Sequence, residues 1–149
     1  MKKPLLVSPL ITAVAVLTAC GGPPADTQPS GAASVGADTT PEDVVRSYLG
    51  ALQEDDESAA VSLTTAPYSE RDSWAGDPPS IEDVEVLDAV AESPEGTAAE
   101  GRYEQAVYVP VRFTLHGADE SMPDGPTAWG YQLVRNTDAE AWKIADAGM

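Results

Sequence analysis

Few side chains in this chain could do chemistry. It has one cysteine, Cys20, and one histidine, His116. His116 ends a run of alternating apolar residues, on the face opposite Val111 and Phe113 and next to Gly117. A general base needs an orienting partner and a substrate within reach, and His116 reads instead as a solvated strand-end side chain. There is no Gly-x-Ser-x-Gly elbow and no Gly-rich phosphate loop. Asp119, Glu120 and Asp124 offer oxygen ligands that could gather calcium, but they lack the regular ligand alternation and terminal glutamate of a helix-loop-helix calcium site. The reading is therefore no metal and no cofactor, with a calcium-dependent surface protein as an alternative. The remaining candidates are aromatic: Tyr48, Tyr68, Trp74, Trp129, Tyr131 and Trp142 could line the mouth of a pocket or, with Phe113 the sole phenylalanine, supply core bulk. Arg71, beside Asp72 and Trp74, is where charge, ring and loop coincide. Tyr48, Arg71, Trp74 and Tyr131 form the candidate ligand-binding set, and no catalytic residue is assigned.

Cys20 stands behind a distinctive leader. Lys2 and Lys3 are positive, residues 5–17 are mostly apolar, and small residues precede the thiol, which is the layout of an export signal. Residues 5–19 are too few to span a bilayer as a helix, which takes roughly 20, and Pro4 and Pro9 oppose such a helix. The block Leu17-Thr18-Ala19-Cys20, followed by Gly21, resembles the lipobox of bacterial lipoproteins. The resemblance implies that residues 1–19 are a cleaved signal peptide. It further implies that Cys20 receives a diacylglycerol and becomes the new amino terminus, holding the protein at the extracytoplasmic face of the cell membrane. Two acyl chains give lasting attachment where one holds only marginally. With its only thiol acylated, the mature chain could form no internal disulfide.

The chain carries 25 acidic and 8 basic side chains, a net of -17; without Lys2 and Lys3 the balance is 6 against 25, a net of -19. Such a charge repels phosphate backbones and anionic headgroups, which argues against nucleic acid as a partner and against lying flat on a membrane. Residues 21–40 are Gly, Pro, Ala, Ser, Thr, Asp and Gln with Val35 the one larger apolar side chain. That composition predicts a flexible tether spanning on the order of 25 Å. Residues 20–40 are thus the lipidated cysteine and linker, and residues 41–149 a single domain with one modest core.

The elements that must position the aromatic candidates are legible in outline. Thr40 can cap a helix, Pro41 suits its first position, and Glu42 and Asp43 suit its positive end. Val44, Val45, Tyr48, Leu49 and Leu52 recur at helical spacing. A second helix is predicted over 57–63 after Asp55-Asp56, and a further helical turn over 69–74. Beyond Pro78-Pro79 the period becomes two, with strands predicted over 81–90 and through Val107, Val109, Val111, Phe113 and Leu115. Pro110 cannot donate to a ladder, so a bulge or unpaired edge is expected there. Trp129, Tyr131 and Leu133 alternate again, residues 136–140 make a turn, and Trp142 with Ile144 closes a hairpin.

Helices followed by a run of antiparallel strands describe an α+β domain, with amino-terminal helices packed on a curved sheet. This order, with the closing Trp142-Lys143-Ile144, resembles the cystatin-like cone of the nuclear transport factor two superfamily. The expected function is a lipid-anchored extracytoplasmic accessory or binding module without catalytic activity, attached to the membrane through Cys20 and serving a protein or small-molecule partner. The alternative is a small-molecule-binding or enzyme-like cone with an aromatic-lined pocket.

Overall fold

The computed structural model describes residues 35–117 and 122–148. The leader, Cys20 and the linker as far as residue 34 lie outside the described residues, as do Asp119 and Glu120. Thr40 caps helix α1 (Pro41–Gln53), its side chain accepting a hydrogen bond from the Asp43 N–H at 3.2 Å. Pro41 occupies the first turn, where a missing N–H costs nothing. The apolar stripe of Val44, Val45, Tyr48, Leu49 and Leu52 is buried. Asp55 takes a left-handed conformation with φ 55° and ends α1's run, and the Asp56 carboxylate caps α2 (Glu57–Ser62) by accepting from the Ala59 N–H at 2.9 Å.

The third helix differs from expectation. It is α3 (Ala66–Ser69), placed earlier than 69–74. Pro67 in its first turn presets the helical φ, and farther on Asp72 accepts from the Trp74 N–H at 3.1 Å, a local turn that competes with helix.

Five strands follow: β1 (Ser80–Val86), β2 (Val90–Glu92), β3 (Gln105–His116), β4 (Gly125–Arg135) and β5 (Lys143–Gly148). Every strand pairing is antiparallel, in the order β1-β3-β4-β5, with β2 also beside β3. The domain is therefore α+β. The single strand expected over 81–90 is two strands, and Pro110 explains the gap. β3 is central, and its register with β4 runs unbroken through Pro110↔Gly130, so Pro110 lies neither at a bulge nor on an outer edge. Its carbonyl accepts from the Leu87 N–H at 2.9 Å. A strand residue's N and C=O face the same neighbour, so the position without a donor faces the break between β1 and β2.

Register sorts the side chains into two faces. Val107↔Leu133, Val109↔Tyr131 and Val111↔Trp129 stand on the side beneath α1. Tyr108↔Gln132, Pro110↔Gly130, Arg112↔Ala128 and Thr114↔Pro126 stand on the other. That other face has its own small cluster at one end, where Ala99 from the β2–β3 connection packs with Ala106, Val134 and Ala145. The sheet's outer edges are both blunted. Along β5, Ile144 N–H donates to the Leu63 carbonyl at 3.0 Å and the Ile144 carbonyl accepts from Thr65 N–H at 2.8 Å. β1 instead carries Glu82, Asp83 and Glu85 and an irregular register, features that discourage pairing with another chain.

Candidate functional site

Three phenols gather where α1, α3 and β4 meet. The Tyr48 hydroxyl donates to Asp72 Oδ2, and the Tyr48 and Tyr131 rings meet edge to face with centroids 5.5 Å apart. Both residues are core, at 0% and 1% exposure, and neither is among the residues that line the neighbouring cleft, so these two members of the expected ligand-binding set are packing residues. Tyr68 joins them from α3 and is also buried. Burial pushes the Tyr48, Tyr68 and Tyr131 phenols well above their ordinary range, with mutual repulsion and the nearby Asp72 carboxylate adding to it. All three stay protonated near neutral pH, so none can supply a phenolate base. The Tyr131 hydroxyl and the Trp129 indole N–H are buried and have no hydrogen-bond partner among the described residues.

Beside this cluster opens a cleft of about 200 Å³, lined by Tyr68, Arg71, Asp72, Trp74, Trp129 and Asp146 among others. The Arg71 guanidinium lies over the Tyr68 ring, 5.7 Å from its centroid, and donates to the Ala145 carbonyl at 3.0 Å and to Asp146 Oδ1 at 3.1 Å. Trp74 stacks on Trp129, centroids 5.6 Å apart and planes 19° from parallel, and meets Phe113 edge to face. Of the four expected ligand-binding residues, Arg71 and Trp74 line this cleft, while Tyr48 and Tyr131 are buried in the core beside it.

A second and larger cleft was not legible in the sequence. It has a volume of about 540 Å³, within the range of small-molecule sites. Leu87, Tyr108, Pro110, Met122, Pro126 and Trp129 supply much of its wall, and Arg112 and Asp124 its charges. Arg112 is held by Glu85 at 3.3 Å across the strand pair. Gly130 makes room for the Tyr108 ring: a Cβ there would sit 2.0 Å from the Tyr108 hydroxyl oxygen. These residues come from the β1–β2 break, two strands and the loop before β4, so no linear spacing announces them. The signal that could have found them is the density of proline and glycine facing Tyr108 and Arg112.

The other sequence candidates fall elsewhere. His116 is exposed at the end of β3, with Nδ1 3.8 Å from Asp124 Oδ2. Asp124 Oδ1 accepts from the Gly117 N–H at 2.9 Å. Among the described residues, no group of three or more His, Cys, Asp or Glu side chains is placed to hold a metal ion, and no helix is long and apolar enough to cross a membrane. Comparison with known proteins finds no matching family model, no matching curated relative and no matching solved structure.

Proposed function

We propose that this protein is a lipid-anchored extracytoplasmic binding module without catalytic activity. Acylated Cys20 holds it on the cell membrane, residues 21–40 set the domain off from the bilayer, and the domain offers a partner its clefts. The anchoring part rests on the Leu17-Thr18-Ala19-Cys20 block behind a charged and then apolar leader. The binding part is supported by one observation above others, the 540 Å³ cleft with a largely apolar wall and two charged side chains. The order of helices and antiparallel strands, with the helices on one face of the sheet, is in keeping with a cystatin-like cone, the fold we propose for the domain. The non-catalytic reading is supported by phenols held protonated and by a histidine exposed at a strand end.

Each part has its own test. Cys20→Ser should release the protein from the membrane fraction and abolish palmitate labelling; retention with undiminished label would refute acylation at that residue. An uncharged apolar fluorophore should bind the mature chain saturably, and Ala128→Trp, which fills the large cleft, should abolish that binding. Binding untouched by Ala128→Trp would remove the cleft from the account.

A further inference from the structure

We propose that the smaller cleft, between α3 and the ends of β4 and β5, binds a primary ammonium group carried on a short carbon stem. This deepens the binding-module reading and rests on it. The charge within the cleft is the first argument. Asp72 and Asp146 bring two carboxylates and Arg71 one guanidinium, so the lining lacks one positive charge. The chain's overall net of -17 adds a field that draws cations to its surface.

Hydrogen-bond capacity points the same way. A carboxylate offers about four lone-pair sites. Asp72 uses one on the Tyr48 hydroxyl and one on the Trp74 N–H, and Asp146 uses one on Arg71. Both therefore retain acceptors, on side chains that are only partly exposed. The Tyr48 and Trp74 contacts also fix the Asp72 carboxylate in place before any ligand arrives. A donor with three N–H bonds suits this arrangement. A quaternary ammonium has no N–H, and it wants open aromatic faces, whereas Trp74 and Trp129 each spend one face on the other. The Trp74 and Trp129 side chains in the lining instead give a carbon stem an apolar wall. A carboxylate ligand is repelled by Asp72 and Asp146. The cleft's volume of about 200 Å³ limits the bound part to a short stem.

The test is a titration of the mature chain in neutral detergent at low salt with butylammonium, tetramethylammonium and butyrate, followed by calorimetry and by the indole resonances of Trp74 and Trp129. Saturable butylammonium binding is expected, with both indole resonances shifting, much weaker tetramethylammonium binding, and none for butyrate. Asp146→Asn should weaken butylammonium about tenfold, the scale of one charge-assisted hydrogen bond. Ser73→Arg, which tethers a cation at the exposed rim without touching the core, should abolish it. Glu57→Gln removes the same charge at an exposed site on α2, away from both clefts, and should change nothing. Absence of saturable binding, or equal losses in Asp146→Asn and Glu57→Gln, would overturn the proposal. If the apolar fluorophore binds while butylammonium does not, only this inference falls; if neither binds, the binding-module reading falls with it.

Discussion

The two faces of the sheet are built from the same strands and do different work. Beneath the helices, Val109, Val111, Phe113 and Leu115 meet Tyr48, Leu49 and Leu52 in a closed core, and even its polar atoms are enclosed. On the opposite face Pro110, Gly130 and Ala128 take the alternate positions, and small or ring-closed residues leave a depression that no helix among the described residues fills. Trp129 contributes to both sides, lining the small cleft and the large one. The lesson is that one strand pair can carry a closed core on one face and an open cleft on the other, provided the residues that would fill the second are kept small.

The contrast can be broken most severely at Trp142, which is 7% exposed within the helix-side cluster and lies under Arg135 at 4.3 Å. Trp142→Ala should cost about 3 to 5 kcal/mol, read from the denaturation midpoint. An unchanged midpoint would place the ring outside the core. Next come two adjacent phenols, predicted to respond with opposite signs. Tyr48→Phe deprives Asp72 of one of its two donors and should destabilise by about 1 to 3 kcal/mol. Tyr131→Phe removes a buried hydroxyl without a partner and should stabilise by about 1 kcal/mol. Equal effects of the same sign would contradict the assigned hydrogen bonds.

The same phenols set an alkaline limit. Their folded pKa values lie above the unfolded value of about 10, so the stability they contribute is complete below that pH and is lost as pH rises beyond it. Absorbance of ionised tyrosine from these three should appear together with unfolding and not before it. On the open face, a Gly130→Ala Cβ would overlap the Tyr108 ring, which must turn away, so the variant should destabilise by about 1 to 3 kcal/mol while altering fluorophore binding in the large cleft.

The smallest effect is expected at Glu42. Burial alone would raise its carboxyl, but hydrogen bonds from the N–H groups of Ala89 and Glu42 itself and from Thr40, with Arg46 nearby, hold it below the usual range. Its contribution is therefore present above the unfolded pKa and lost as pH falls through the folded one. Glu42→Gln should cost less than about 1 kcal/mol at neutral pH and flatten the acid side of the stability curve.

What could be read from the chain was what local chemistry decides. Thr40-Pro41-Glu42-Asp43 announces α1, and alternation from Val107 to Leu115 announces β3, because capping and two-residue periodicity need no distant partner. The break at 87–89 was not readable, since its cause is Pro110 on a neighbouring strand, more than 20 residues away. The cluster of Ala99, Ala106, Val134 and Ala145 escaped for a different reason: alanines carry too little hydrophobic signal to mark a buried face. For the candidate site, Arg71, Asp72 and Trp74 are neighbours in sequence and line one cleft. Asp146 and Trp129 reach the same cleft from the far end of the chain, and only pairing of β4 with β5 brings them there.

The account depends most on the domain being held at the membrane by lipid on Cys20. Mass spectrometry of the native protein extracted from membranes tests this directly. The predicted result is a chain beginning at Cys20 and heavier by a diacylglycerol. A chain that still begins at Met1, or a Cys20 with a free thiol, would contradict it.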